Sequence, residues 1–443
     1  MKNCYKVLSV GMLMAACNLT NPVKGQSQDS ISMNLDNVLT IALSDNPDIQ
    51  VANRTIEIKK YAKWESIAGL FPTFSVTASA TRNLEVATIV TSMGKFKMGQ
   101  PYNYSLTGAV SVPLVAPQLW KSLQISKTSV ELALEQARSS KISTISAVKK
   151  AFFQLLLARD SYDVLRTSYD LAEENLALTR NKYKLDLVAE YDTLTAYVQK
   201  VSLEPDMLSM KNTINLAEMQ LKVLMGVDVN EPIRFEGHLK DYEEKLFSDL
   251  MILKEKNTLD DNSTLRQMDI QSRQLVLTEK INKLGYIPTL AFQIQGGWSS
   301  MPAKFNPFEA AYYGSASMSL AFSWTINGAS FLKTRQNKLS IENLEEQRKY
   351  AVEQLELAIN SSLNSIETAA EQVVANKQSI YASERAYQIS AKRYDVGSGT
   401  QLEVNNSATK LQQTNLQYVQ AIYNFVTARA NIEETLGRTV TDK

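Results

Sequence analysis

The strongest constraint on the fold of this chain is that one plan is written in it twice. Leu43, Asp45-Asn46 and Phe71-Pro72-Thr73-Phe74 recur as Leu259, Asp261-Asn262 and Ile287-Pro288-Thr289-Leu290, at one constant separation (43 to 259, or 216). Further along, Lys182-Tyr183, Asp192, Ala217 and Gly226 recur as Arg393-Tyr394, Glu403, Ala428 and Gly437, again at one separation (182 to 393, or 211). A match at any single site is easy to obtain by chance; a nearly constant offset across the whole unit means that one structural unit is used twice. One half runs from about 36 to 226 and the other from about 252 to 437, each in the order helix, hairpin, very long helix, turn, helix.

Within each half the apolar residues repeat every seven positions. Leu155, Tyr162, Tyr169, Leu176 and Tyr183 form a series of large residues, and Ala151, Ala158, Leu165, Ala172 and Thr179 form a series of smaller ones four positions before it. The second half repeats both, as Val352, Ile359, Ile366, Val373, Ile380, Tyr387 and Tyr394 with Ser362, Ala369, Asn376, Ser383 and Ser390. Large residues facing small ones let helices interlock at close range. No Gly or Pro occurs from 118 to 183, so a continuous rod of roughly 100 Å is expected there. An interior of that length does not exist in a globular domain.

Between the helices the period changes to two. Phe74, Val76, Ala78 and Ala80 alternate with Ser75, Thr77, Ser79 and Thr81, and Tyr102, Tyr104, Leu106, Val110 and Val112 with Asn103, Ser105, Thr107 and Ser111. Residues 289–299 form a third strand, and Tyr312, Ala316, Met318, Leu320, Phe322 and Trp324 alternate with hydroxyls in a fourth. Strands of about ten residues with one apolar and one hydroxyl-rich face suit a transmembrane barrel; a soluble sandwich with one wet face is the competing reading. Four strands do not close, and an open edge in lipid leaves backbone groups unpaired. A barrel therefore requires several copies: two would supply eight strands, three twelve and four sixteen. Pro72, Pro113, Pro117 and Pro288, with Asn327-Gly328, mark where strand meets helix. The tips at 85–101 and 301–311, rich in Gly, Asn, Lys and Pro, would lie outside the cell.

Lys2 and Lys6 precede an apolar run from Val7 to Cys17, and Val23-Lys24-Gly25 fits a cleavage site, so residues 1–25 read as a secretory signal peptide. A second reading takes Met14-Ala15-Ala16-Cys17 as a lipoprotein box with Cys17 lipidated. Beyond residue 25 there is no cysteine, and His238 is the sole histidine. That supplies no ligand set for a metal and no Ser/His/Asp or Cys/His chemistry, so no enzyme, metal or cofactor is expected, and His238 is read as a surface residue. Forty-seven basic against 46 acidic residues give no basic field for nucleic acid.

These residues resemble the TolC-type outer-membrane efflux protein family. Leu35-Asp36-Asn37-Val38-Leu39-Thr40-Ile41-Ala42-Leu43-Ser44-Asp45-Asn46-Pro47-Asp48-Ile49 is similar to its N-terminal helix signature, and Arg393-Tyr394-Asp395-Val396-Gly397-Ser398-Gly399-Thr400-Gln401-Leu402-Glu403-Val404 to its helix-turn signature. The resemblance covers nearly all of 30–440 and implies an α+β membrane protein: a homotrimer whose long α-helical coiled-coil barrel continues into a twelve-stranded transmembrane β-barrel, four strands per protomer. It implies residence in the outer membrane of a Gram-negative bacterium, with helices reaching into the periplasm. It also implies docking to a periplasmic adaptor (membrane fusion) protein and an inner-membrane transporter. The segments are then the signal peptide (1–25), an N-terminal segment and helix (26–70), the first hairpin (71–116), a long helix, tip turn and return helix (117–226), an equatorial segment (227–255), the second repeat's helix (256–287), the second hairpin (288–326), a long helix, tip turn and return helix (327–437) and a tail (438–443).

By the same resemblance the turns 184–189 and 395–400 form a periplasmic mouth, and adaptor contact falls on Leu185, Asp186, Leu187, Val396, Gly397 and Ser398. Asp186 stands where the family usually has glycine, and Asp tolerates left-handed backbone. Asp192 and Tyr394 match positions that close the mouth through hydrogen bonds, and Glu403 matches an acid facing the pore. Gly399 stands where an arginine partner is found, and Asn406 where a second acid is found. Each of the three also has a local reading: Asp192 and Glu403 as helix N-terminal charges, Tyr394 as heptad packing. The rival to an export duct is a soluble periplasmic coiled-coil scaffold, which cell fractionation separates from it.

Overall fold

The structure, a computed structural model, describes residues 31–92, 94–245, 258–307, 311–325 and 328–437. The signal peptide with Cys17, the end of the equatorial segment, Asn327 and the tail lie outside the described residues. In chain order the elements are β1 (Ile31–Met33), α1 (Leu35–Asp45), α2 (Pro47–Ala68), β2 (Thr73–Arg82), β3 (Thr88–Thr91), β4 (Gly94–Lys97), β5 (Tyr102–Val115), α3 (Pro117–Lys184), α4 (Glu190–Val201), α5 (Leu203–Met225), β6 (Ile233–Phe235), α6 (Ser263–Leu284), β7 (Thr289–Ser300), β8 (Tyr313–Ser323), α7 (Gly328–Asp395) and α8 (Gln401–Leu436).

The long helices α3 and α7 have 68 residues each, about 100 Å of rod. Pro117 opens α3 at a position where its missing N–H costs nothing. The return from the first tip is broken at Ser202 into α4 and α5, because Pro205 has no N–H for the carbonyl four residues back and its ring crowds that turn. The return from the second tip has no proline and runs as one helix, α8. Ala151, Ala158, Leu165, Ala172 and Thr179 are all buried along α3, as are Ile359, Ile366, Val373 and Tyr394 along α7, so the seven-residue series do face neighbouring helices.

The largest apolar cluster lies midway along the rods. It joins Val148 to Leu156 of α3, Leu221 and Met225 of α5, Ile359 to Val373 of α7 and Val419 to Leu436 of α8 with Val38 and Ala42 of α1. A short parallel pair, β1 with β6, and a 3-10 turn at Leu239–Lys245 cover this waist. Tyr242 stacks edge-on against Phe153 there, ring centroids 5.0 Å apart.

Four antiparallel strands form one open sheet in the order β2-β5-β7-β8. The register fixes what each face carries, because residues paired across strands point the same way. Phe74, Val110, Ile294 and Met318 lie in one row, and Ala78, Leu106, Trp298 and Gly314 in another on the same face. The opposite face presents rows such as Thr73, Ser111, Gln293 and Ser319, or Ser75, Ala109, Gln295 and Ser317. Phe74 is 79% exposed and Met318 74%. Arg82, at the tip end of β2, is the only charged residue in these four strands. Aromatic residues gather at both ends of the sheet. Phe71, Tyr286 and Trp324 stand at the helix end, where the Trp324 indole N–H donates to the Tyr286 carbonyl at 3.0 Å, and Tyr102, Trp298, Tyr312 and Tyr313 at the tip end. The first tip carries a small hairpin of its own, β3 with β4, and Phe305 of the second tip packs edge-on to Tyr102 and Tyr104. Among the described residues no helix is long and apolar enough to cross a membrane.

Candidate functional site

The end of the rods farthest from the sheet is made by two turns built alike. After α3 the chain reverses through Leu185–Ala189 with Asp186 in the left-handed region, φ 57°, and the Leu187 N–H donates to the Lys182 carbonyl at 3.0 Å. After α7 it reverses with Gly397 at φ 77°, and the Ser398 N–H donates to the Arg393 carbonyl at 2.8 Å. Asp186 and Gly397 are equivalent positions of the two repeats, so the aspartate does take the backbone conformation that glycine takes in the second copy. Helix α8 starts from a reciprocal cap: Thr400 Oγ1 accepts from the Glu403 N–H at 3.3 Å, and the Glu403 carboxylate accepts from the Thr400 N–H at 3.4 Å.

Within one chain the two hairpins meet at this end through a small set of polar groups. The Tyr394 hydroxyl donates to Thr179 Oγ1 at 3.4 Å, and Thr179 donates to Gln401 Oε1 at 3.4 Å. Gln401 in turn donates to Asn405 Oδ1 at 3.0 Å. Higher up, Gln199 Nε2 donates to Thr409 Oγ1 at 3.3 Å. The shortest contacts come from Lys182, whose ammonium donates to the carbonyls of Tyr394 and Asp395 at 2.5 and 2.7 Å and lies 4.6 Å from the centre of the Tyr394 ring. Burial pushes the Tyr394 phenol up, the hydrogen bond to Thr179 opposes this, and the nearby Asp192 charge adds to it.

The residues singled out from sequence fall into distinct places. Tyr394 is buried in the contact between hairpins. Asp192 sits in the first turn of α4, close enough to act on Tyr394 through its charge. The Glu403 carboxylate is engaged with its own helix and stands 3.5 Å from the Arg393 guanidinium. That guanidinium also donates to the Ser398 carbonyl at 3.1 Å. A Cβ at Gly399 would come within 3.0 Å of the Arg393 side chain and 3.1 Å of Glu403. The cation at this turn comes from position 393, and Gly399 fits where a side chain would crowd the Arg393 Cβ and the Glu403 carboxylate. Leu185, Leu187 and Val396 are exposed at the very end, and so are Tyr191, Leu194 and Leu402, three apolar residues at helix starts that the turn motifs alone do not single out. Sequence reasoning also misses Lys182, Thr179 and Gln401 as members of this contact between hairpins; it marks the first only as a repeat match and the second only as a heptad position.

At the waist, His238 Nδ1 lies 2.7 Å from Asp160 Oδ1, and the other oxygen of Asp160 accepts from the Leu239 N–H at 2.8 Å. The imidazole is raised above its ordinary pKa by that hydrogen bond, against partial burial and with the charges of Asp160, Asp241 and Asp163 behind it. Donor atoms of Asp160, Asp163 and His238 lie within 4.8 Å of one another. Asp160 thereby pins the equatorial segment to α3.

Comparison with known proteins gives a consistent result. The family profile described as Outer membrane efflux protein matches residues 38–227 and 256–438. Outer membrane protein TolC of Salmonella enteritidis is 22% identical over 328 residues, covering 72% of this chain and 66% of that one, so the match spans just under two thirds of that relative's length. The toluene efflux pump outer membrane protein TtgC of Pseudomonas putida is 20% identical over 416 residues, 91% of this chain and 82% of that one. Among solved structures, the CmeC outer membrane channel of Campylobacter jejuni superposes with a TM-score of 0.74 at 15% identity, covering 98% of this chain and 96% of that one. The MtrE outer membrane channel of Neisseria gonorrhoeae, in its open state, superposes at 0.72 with 17% identity, covering 92% and 89%.

Proposed function

Because this chain belongs to the outer membrane efflux protein family, we propose that it is the outer-membrane duct of a tripartite efflux or secretion system, a passive conduit from periplasm to exterior. The observation that carries this reading is the sheet. It has an apolar face whose one charge, Arg82, stands at the tip end, a hydroxyl and amide face opposite, and two free edges, β2 and β8, among the described residues. Alternating antiparallel order makes β2 of one copy antiparallel to β8 of the next, so copies add head to tail and close a ring. Two copies would give eight strands, whose interior side chains fill; three give twelve and leave a water-filled bore. The apolar face then meets lipid, the hydroxyl face lines the lumen, and the aromatic ends match the two interfaces.

On this reading α3 to α5 and α7 to α8 of three copies form a helical barrel in the periplasm, and its far end is the mouth. Asp192, Tyr394 and Glu403 form the gate, and threefold symmetry turns each acid into a ring of like charges that attracts cations. Leu185, Asp186, Leu187, Val396, Gly397 and Ser398 meet a periplasmic adaptor, which joins the duct to an inner-membrane transporter. Exposed apolar side chains on turns that cap no other element support such a contact. The soluble scaffold is disfavoured by the bare apolar face of the sheet. Fractionation and native mass in detergent test the proposal: a membrane-bound trimer is expected, and recovery as a detergent-free soluble periplasmic protein would overturn it.

A further inference from the structure

We propose that Lys182 is the latch of the closed mouth, tying the first helical hairpin to the second within each chain by capping the last carbonyls of α7. The proposal rests on the duct reading and adds to it a residue and a mode of closure.

The last carbonyls of a helix have no partner inside it, and the helix dipole makes that end negative. At the end of α7 two of them, from Tyr394 and Asp395, accept from one ammonium that belongs to the other hairpin, the Tyr394 carbonyl also taking the Gly397 N–H of its own turn at 3.1 Å. The face of the Tyr394 ring lies under the same cation, and Asp395 Oδ1 is 3.9 Å away. The Lys182 side chain is only 12% exposed, so it is held against α7 and does not trail in solvent. Its counterpart in the second repeat is Arg393, which instead turns back onto Ser398 and Glu403 of its own hairpin. The symmetry of the repeat is broken at this pair: one cation crosses between hairpins and the other does not. The other side-chain bonds between hairpins at this end, Tyr394 to Thr179, Thr179 to Gln401 and Gln199 to Thr409, join neutral groups at 3.3 to 3.4 Å. Charge-assisted bonds are the stronger kind, so the latch outweighs each of them.

The acceptors are main-chain carbonyls, which no substitution at Tyr394 or Asp395 removes. Closure therefore depends on position 182 and on a positive charge there. Spreading the hairpins to widen the mouth requires this ammonium to leave its two carbonyls for water.

The chain beyond residue 25 contains no cysteine, which allows the charge to be removed and put back. The full-length Lys182→Cys variant, reconstituted in planar bilayers beside the wild type, is expected to conduct about twofold or more better than wild type. Alkylation with 2-bromoethylamine, which rebuilds an ammonium of nearly lysine length, is expected to return conductance to the wild-type level, and neutral carbamidomethylation to leave it high. Rescue also shows that the variant had folded. Equal conductance for wild type, variant and both adducts overturns the latch and leaves the duct standing; a wild type that forms no channel removes both.

Discussion

The side-chain amide of Asn262 donates to the carbonyl of Thr435 at 2.7 Å, and in the first half that of Asn46 donates to the carbonyl of Leu224 at the same distance. Asn46 and Asn262 are equivalent under the first offset of the internal repeat, and Leu224 and Thr435 under the second. The two offsets therefore meet at one clasp per half, in which the start of each repeat is bound to the end of its return helix. Each asparagine also caps a helix: Asn46 Oδ1 accepts from Asp48 and Ile49, and Asn262 Oδ1 from Leu265. Both are buried.

Asn46→Ala and Asn262→Ala should each lower stability by roughly 1–3 kcal/mol, since each removes a cap and leaves a part-buried carbonyl without its amide donor. Chemical unfolding followed by the helical signal measures this, with Glu57→Ala on the exposed face of α2 as the control. A loss no larger than that of the control would mean the clasp is dispensable.

The glycines that complete the clasp are more demanding. Gly226 and Gly437 sit at φ 76° and 71°, and a Cβ at either would stand 2.4 Å from the carbonyl oxygen of Asp45 or Asp261. Gly226→Ala and Gly437→Ala are expected to reduce assembled protein more than Gly397→Ala, whose Cβ meets nothing within 4 Å at a similar φ. Comparing the three separates the crowding from the left-handed backbone itself.

Much of this fold is legible in the sequence because its periods are long and uninterrupted. Seven-residue spacing marks the faces that α3 and α7 bury, and alternation from Phe74 to Thr81 and from Tyr312 to Trp324 marks the faces of the sheet. The break at Ser202 has a visible cause in Pro205, but the likeness of the two halves suggests a single return helix in each and hides it. The pairing of β1 with β6 is not readable, because three-residue strands carry no period. The contacts of Lys182 are hidden for a different reason: its partners are backbone carbonyls in the other half of the chain, and a carbonyl carries no residue identity.

The two faces of the sheet should differ sharply in what they tolerate. Met318→Lys places a charge on the apolar face near mid-strand, where lipid contact would cost about 2–4 kcal/mol, and heat-modifiable trimer in the outer-membrane fraction should fall. Ser319→Lys, at the next position and facing the other way, should leave assembly intact and shift ion selectivity toward anions. Equal tolerance at both positions would contradict a lipid-facing assignment.

The waist carries a pH-dependent bond. Burial opposes ionisation of Glu243, but hydrogen bonds from Lys377 Nζ at 2.8 Å and the Tyr418 hydroxyl at 2.7 Å outweigh it and hold its carboxyl below the usual range. A carboxyl depressed by folding contributes in full above its unfolded pKa, and the contribution is lost as pH falls through the lower folded value. Wild type should therefore exceed Glu243→Gln in thermal stability at pH 6 to 7 and converge on it in acid below pH 4. A gap that persists unchanged into acid would assign the difference to packing.

At the mouth, Tyr394→Phe and Asp192→Ala separate hydrogen bonding from charge. Tyr394→Phe removes a single bond of 3.4 Å while leaving the ring under Lys182 and both carbonyls in place, so conductance in planar bilayers should rise only slightly. Asp192→Ala removes a carboxylate from the first turn of α4. If Asp192 holds the mouth, it does so through the ring of three or across to a neighbouring copy, and its removal should raise conductance and weaken cation preference together. The double variant should then exceed both single ones. An unchanged conductance in the double variant would assign Tyr394 to heptad packing and Asp192 to the helix start alone.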